Sequence, residues 1–232
     1  MTRPGQQDPG RERRLVTPAE LLAAVPDAAA VRAAMAEVRR RPEAIRTLFP
    51  AAGRRWGRGP LGETGWLVED ATRALLVTAL PATGQALAGD MEWLYRNGDS
   101  PEKRAVLRAL DLVLVGEHGL PMVHDALRAN DPRLVETALG LYGAAYLPDD
   151  AYRHGVLKCV FAGVPLARVA GLHRRGDGEL ARDLAGFAAE RMVAGRDVPE
   201  DVREYIDRFP EAAGSLDAYL RSAHPHDVTD DR

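Results

Sequence analysis

Two lysines, Lys103 and Lys158, stand among 31 basic residues that are otherwise arginine. The second lies in the apolar segment VLKCVFAGVPL (156–166), directly before the only cysteine, Cys159. An ammonium pressed among residues such as Leu157, Val160 and Phe161 loses hydration. It then becomes able to act as a base or to capture a carbonyl as an imine. Lys158 is therefore the candidate catalytic residue, with His154 one helical turn before it. The plainer reading lays the lysine stem along the edge of the core and sends its head to Asp149, Asp150 or solvent. Cys159 points about 100° further round the helix and has no base near it in sequence, which marks a buried structural thiol.

Other polar residues gather where helices are expected to begin. Arg96, Asp99, Arg104, Asn130 and Asp131, together with Lys158, form the candidate ligand-binding set. Arginines and helix N-termini converging on one face suit an anionic small molecule. Capping alone also explains Asp99 and Asn130. The six histidines show no metal-ligand spacing, although His118 and His124 lie near Asp125, and His224 and His226 fall at the C-terminus. No metal and no cofactor is expected. Residues 31–58 carry an arginine cluster, from Arg32 to Arg58, that reads as a solvated face, with binding of phosphate or an acidic partner as the alternative. With few aromatics to stack bases and a net charge of −3, nucleic acid is not an expected partner.

Helices must position these groups. Hydrophobic residues make up 46% of the chain but aromatics only 6%, a balance of Ala and Leu that favours helix over strand. Thr17-Pro18-Ala19-Glu20 reads as a cap, a first-turn proline and an acidic first turn. Asp27 caps a second helix to about Arg41, and Pro42 opens a third ending near Phe49. Glycines and Pro60 make 50–64 a loop. Further helices are expected over 66–80, 83–96, from Ser100-Pro101-Glu102, over 120–129, from Asp131-Pro132 through Tyr142, from Pro148-Asp149, and from Asp177 to about Ala194. One or two short helices follow Pro199. Alternating apolar and polar residues are nowhere sustained, so the chain is expected to be all-α.

Helix starts near 65, 100, 131 and 165 recur every 30–35 residues, the spacing of helical hairpins. Stacked antiparallel hairpins would give a HEAT/armadillo-like right-handed solenoid, and a compact helical bundle is the alternative. Residues 1–16 and 223–232 read as disordered tails around a single domain over 17–222. One cysteine, no apolar run of spanning length and no apolar stretch after the basic N-terminus point to a cytoplasmic protein without membrane insertion.

Four blocks in succession resemble the EboA family: YRNGDSPEKRAVLRAL (95–110), ALRANDPRLVETALG (126–140), VLKCVFAGVPL (156–166) and GLHRRGDGELARDLAGFAAERMVAGR (171–196). The resemblance runs from Trp93 to Arg196 and suggests an EboA-like core over about 65–196. It implies a helical protein encoded in the bacterial ebo cluster, which is associated with secondary metabolism and with moving a precursor towards the periplasm. The family pattern includes Lys158, the pair Asn130-Asp131 and the run beginning at Gly98. His173 stands where the family often has Asp. No reaction carries over. The hairpin-like spacing, the absence of a catalytic motif and this family context together point to a helical-repeat protein that binds a small anionic intermediate or another ebo-cluster protein. The alternative is an enzyme with a lysine-containing site, acting on a cyclitol, sugar-derived or prenylated intermediate.

Overall fold

The computed structural model describes residues 15–212 and Gly214. His224, His226, most of the N-terminal tail and all of the C-terminal tail expected above lie outside the described residues. Among those described there is no strand, only one isolated antiparallel bridge between Pro60 and Leu67. The chain is all-α. It divides at the Leu147–Pro148 junction into two compact units.

In the first unit the start signals act as their chemistry dictates. Helix α1 (Pro18–Ala24) opens on a reciprocal cap: Glu20 N–H donates to Thr17 Oγ1 at 3.2 Å, and Thr17 N–H to Glu20 Oε2 at 2.8 Å. Helix α2 (Ala28–Arg40) is capped by Asp27, which accepts the Ala30 N–H at 2.9 Å. Helix α3 (Ile45–Arg55) departs from expectation by running through Pro50 rather than stopping at Phe49. A proline there removes one helical hydrogen bond and costs about 3 kcal/mol. Burial of Leu48, Phe49, Ala52 and Gly53, in a helix packed on the next, offsets that cost. The loop therefore starts only at Trp56.

Helix α4 (Val68–Thr78) packs against α1, α2, α3 and α6 (Ser100–Ala109). Every residue from Asp70 to Val77 is buried, so α4 is the central helix of this unit rather than an amphipathic one with a single inward face. Helix α5 (Gly84–Asn97) packs on α6. Helix α7 (Leu120–Arg128) packs on α8 (Pro132–Ala138), which also packs on α6. Thus α4, α6 and α8, which touch in that order, begin at residues 68, 100 and 132, within the expected spacing. The start expected near 165 is only a short 3-10 turn, Leu166–Arg168. The expected single helix from Pro132 through Tyr142 is broken at Leu139–Gly140, and α9 (Leu141–Tyr146) follows.

The second unit holds α10 (Asp149–Phe161), α11 (Leu172–Arg175), α12 (Gly178–Val193) and α13 (Glu200–Asp207). Arg153 on α10 bridges Asp177 at 2.9 Å and Glu179 at 3.0 Å, at the start of α12. Further along the same two helices Phe161, the last residue of α10, meets Phe187 of α12 edge-on, 4.9 Å between ring centres. Helices α10 and α12 therefore run in the same direction. Tyr152, fully buried, donates its hydroxyl to the Ala170 carbonyl at 2.7 Å.

Candidate functional site

Arg104, one of the expected ligand-binding residues, is turned into the protein. Its Nε and Nη2 donate to the two oxygens of Asp70 at 2.7 and 3.0 Å, a bidentate pair across the α4–α6 contact. Asp70 is 1% exposed. Burial pushes its carboxyl up from the usual range, while the Arg104 hydrogen bonds pull it down. Burial also disfavours the Arg104 charge, but Asp70 overrides this and holds the guanidinium above its ordinary value. Beside this pair, Arg73 donates to the Phe49 carbonyl at 3.1 Å and lies 3.6 Å from Glu102. Glu69 accepts the Gly59 N–H at 3.0 Å, which ties the glycine-rich loop to α4. These charges lock helices together.

Asp99 caps α6, accepting the Glu102 N–H at 2.9 Å, while Glu102 accepts the Asp99 N–H at 3.2 Å. Asp131 caps α8: its Oδ1 accepts the Arg133 N–H at 3.0 Å, and the Arg133 side chain reaches both its oxygens. The Ser100 hydroxyl donates to Asp131, so the run beginning at Gly98 and the Asn130-Asp131 pair do meet. Asn130 itself is exposed in the bend before α8.

The Arg133 side chain, and then the Ser100 hydroxyl and the Arg133 backbone, hold the Asp131 carboxyl well below its usual range against the effect of burial. The folded chain thus releases this proton more readily than the unfolded chain. The stability Asp131 contributes is complete above its ordinary value of 3.8 and fades as pH falls below it. Replacing Asp131 by Asn should flatten this part of the acid loss of stability, read by urea unfolding at pH 6 and pH 3. Equal losses in the two proteins would refute the assignment.

Arg96 lies at a different kind of place. A cleft of about 440 Å³ opens between α5, α6 and α7. Helix α5 contributes Glu92, Tyr95 and Arg96; α6 contributes Lys103. Helix α7 contributes His124, Asp125 and Arg128, with Pro121 and Met122 as an apolar floor. The spacing 92, 95, 96 and the spacing 124, 125, 128 each put their residues on one helical face. Arg96 pairs with Glu92 at 2.6 Å, and Arg128 with Asp125 at 3.3 Å. Tyr95 is buried and donates its hydroxyl to Asp125 at 3.0 Å. Burial, and then this carboxylate, push the Tyr95 hydroxyl well above its usual range, so it stays protonated as a donor. Lys103 Nζ rests 5.1 Å above the centre of the Tyr95 ring and has no carboxylate within 4.0 Å among the described residues. Two carboxylates each hold an arginine, and one ammonium is left over.

A family model described as the metabolite traffic protein EboA matches residues 58–207. The chain belongs to the EboA family. The match holds all of the cleft and both lysines. It begins in the glycine-rich loop, well before the Trp93 start read from the sequence, and ends with α13. No curated protein and no solved structure matches the chain.

Within this EboA-family chain Lys158 belongs to the second unit, and the other five expected ligand residues to the first. Lys158 is half-buried on α10. Val160 and Cys159 are buried, but Phe161, expected to face the core, is 60% exposed. His154 is exposed, with Nδ1 placed 3.0 Å from the Asp150 carbonyl oxygen. Asp149 is engaged by Arg175 at 2.6 Å. No group of three or more His, Cys, Asp or Glu side chains is arranged to hold a metal ion among the described residues. No helix described is long and apolar enough to cross a membrane. The expected binding set leaves out Lys103, Tyr95 and Arg128, and Asp125 enters the sequence reading only beside His118 and His124. The usable signal was Lys103 itself, the other lysine of an arginine-dominated chain and part of the GDSPEKR run.

Proposed function

We propose that this EboA-family protein binds a small anionic metabolite in the α5–α6–α7 cleft, and that it acts in metabolite traffic by holding and releasing that ligand. The observation that carries the reading is Lys103, which has no carboxylate within 4.0 Å among the described residues, in a cavity of ligand size. Arg96, Lys103 and Arg128 face only Glu92 and Asp125 there. Pockets of roughly 300–1,000 Å³ accommodate metabolites. The arginines are restrained by their carboxylates, and the Tyr95 ring supports the lysine amine from below. Transfer of the ligand to other ebo-cluster proteins completes the proposal, and co-purification with them tests that part.

The direct test is calorimetry of the full chain with glycerol 3-phosphate as probe. A charge-assisted hydrogen bond contributes about 1.5–3 kcal/mol. Lys103→Gln is therefore expected to weaken binding at least about tenfold, with an unchanged melting temperature and partial recovery in Lys103→Arg. Raised salt should weaken binding in the wild type more than in Lys103→Gln. Binding that is the same with and without the lysine would sink the proposal.

A further inference from the structure

We infer that the ligand of this cleft carries a single oxyanion head with hydroxyl groups beside it, as a phosphorylated or carboxylated polyol does. The inference rests on the cleft being the ligand site. It comes from what the carboxylates do once their arginines are counted.

Charge sets the number of anionic groups. Glu92 and Arg96 cancel, as do Asp125 and Arg128, which leaves Lys103 as the one cation in excess among the cleft's fixed charges. One carboxylate head on the Lys103 ammonium balances the site, whereas a phosphate monoester, with a charge of about −1.5 to −2 at pH 7, exceeds it and must also draw on the outer N–H groups of Arg96 or Arg128. A second anion in a cavity of about 440 Å³ would lie close to Glu92 or Asp125. Like charges at such range repel, so these carboxylates select against di- and tricarboxylates.

Hydrogen-bond capacity sets what surrounds the head. An ionised carboxylate only accepts, and offers about four lone-pair sites. Glu92 accepts from Arg96, and Asp125 accepts from Tyr95 and Arg128. Each keeps acceptor capacity towards the cleft, and the natural partner is a donor on the ligand. His124, half-buried on the same wall and engaged by no described residue, serves a hydroxyl through either ring nitrogen. The Met122 and Pro121 floor is small, so a long alkyl or prenyl chain has little to rest on. The cleft thus asks for donors around one anion rather than for apolar bulk.

Four probes test this by calorimetry on the full chain: glycerol 3-phosphate, glycerate, propionate and tricarballylate. Glycerol 3-phosphate or glycerate is expected to bind at least about tenfold more tightly than propionate, which lacks hydroxyls, and than tricarballylate, which has three carboxylates. The ratio between the first two identifies the head as phosphate or carboxylate. Glu92→Gln, a change at a partly exposed side chain, should narrow the margin by admitting tricarballylate. Tricarballylate or propionate binding as tightly as both hydroxylated probes overturns this inference and leaves the cleft reading standing, provided Lys103→Gln still weakens all of them. If no probe binds up to about 10 mM, or if binding ignores Lys103→Gln, the cleft reading falls and this inference with it.

Discussion

Arg104→Ala is expected to lower the stability of the first unit by about 3–5 kcal/mol, the cost of leaving a buried charge without its partner. Asp70 is 1% exposed, and both its oxygens are held by the Arg104 guanidinium at 2.7 and 3.0 Å. Without that fork, the carboxylate on the central helix must take up a proton or draw water into the α4–α6 contact. Asp70→Ala should destabilise less, because Glu69, 3.9 Å from the Arg104 guanidinium, still faces it. The double substitution Asp70→Leu with Arg104→Met should recover most of the loss. A buried ion pair replaced by apolar residues of similar size is often neutral in stability. All three tryptophans, Trp56, Trp66 and Trp93, lie in the first unit, so urea unfolding followed by tryptophan fluorescence reads that unit alone. Full stability in Arg104→Ala would mean that the pair contributes nothing net. A double variant no more stable than the singles would mean that the apolar contacts around the pair carry the effect.

Gly143→Ala is the second large effect expected, about 3 kcal/mol, at the upper end of what overpacking costs. A methyl group built on Gly143 would stand 1.9 Å from the Ala138 carbonyl oxygen, far inside contact distance. The obstacle is backbone at the end of α8, so no side chain can turn aside to admit it. The close approach exists because α8 stops at Ala138 and α9 starts three residues later at a new angle. Asp111 fixes that start by accepting the Tyr142 N–H at 2.8 Å. Gly143→Ala should therefore loosen the α8–α9 joint and lower the tryptophan-reported midpoint. Ala144→Gly, one residue on, should cost only about 1 kcal/mol, the ordinary propensity difference inside a helix. Equal effects at the two positions would show that the close approach is not what matters.

Both predictions concern features that local sequence reading places poorly. The Asp131-Pro132 stripe continues through Leu139 and Tyr142 with helical spacing, and on that pattern one helix is the natural expectation. The break at Leu139–Gly140 arises from packing: the Asp111 carboxylate lies 31 residues before the N–H it accepts. Pro50 shows the opposite error. A proline read locally ends a helix, but α3 continues because its far half buries Ala52 and Gly53. The start signals, by contrast, need nothing outside a few residues. Thr17, Asp27, Asp131 and Asp177 cap the helices expected of them, and Asp99 takes the place next to the expected Ser100.

The candidate site divides along the same line. Arg104, Asp99 and Asp131 were singled out as polar residues converging near helix starts, and they do converge. Their partners are Asp70, the helix caps and Ser100, and two of those lie 34 and 31 residues away in the chain. Whether a converging arginine faces a ligand or a buried aspartate depends on which helix lies against it. Arg96 and Lys103 line the cleft with residues of α7, a separate helix further along the chain.

By itself the sequence determined the helical class, most helix starts, three of the four starts expected at 30–35-residue spacing, and the family, since these depend on capping, composition and pattern along the chain. Only the tertiary structure decided that α4 is buried from Asp70 to Val77 and that Arg104 is spent on Asp70. It alone decided that Lys103 remains the unbalanced cation of a ligand-sized cleft. The pairing of charges is a property of distance in space, and packing sets that distance between residues that lie far apart along the chain.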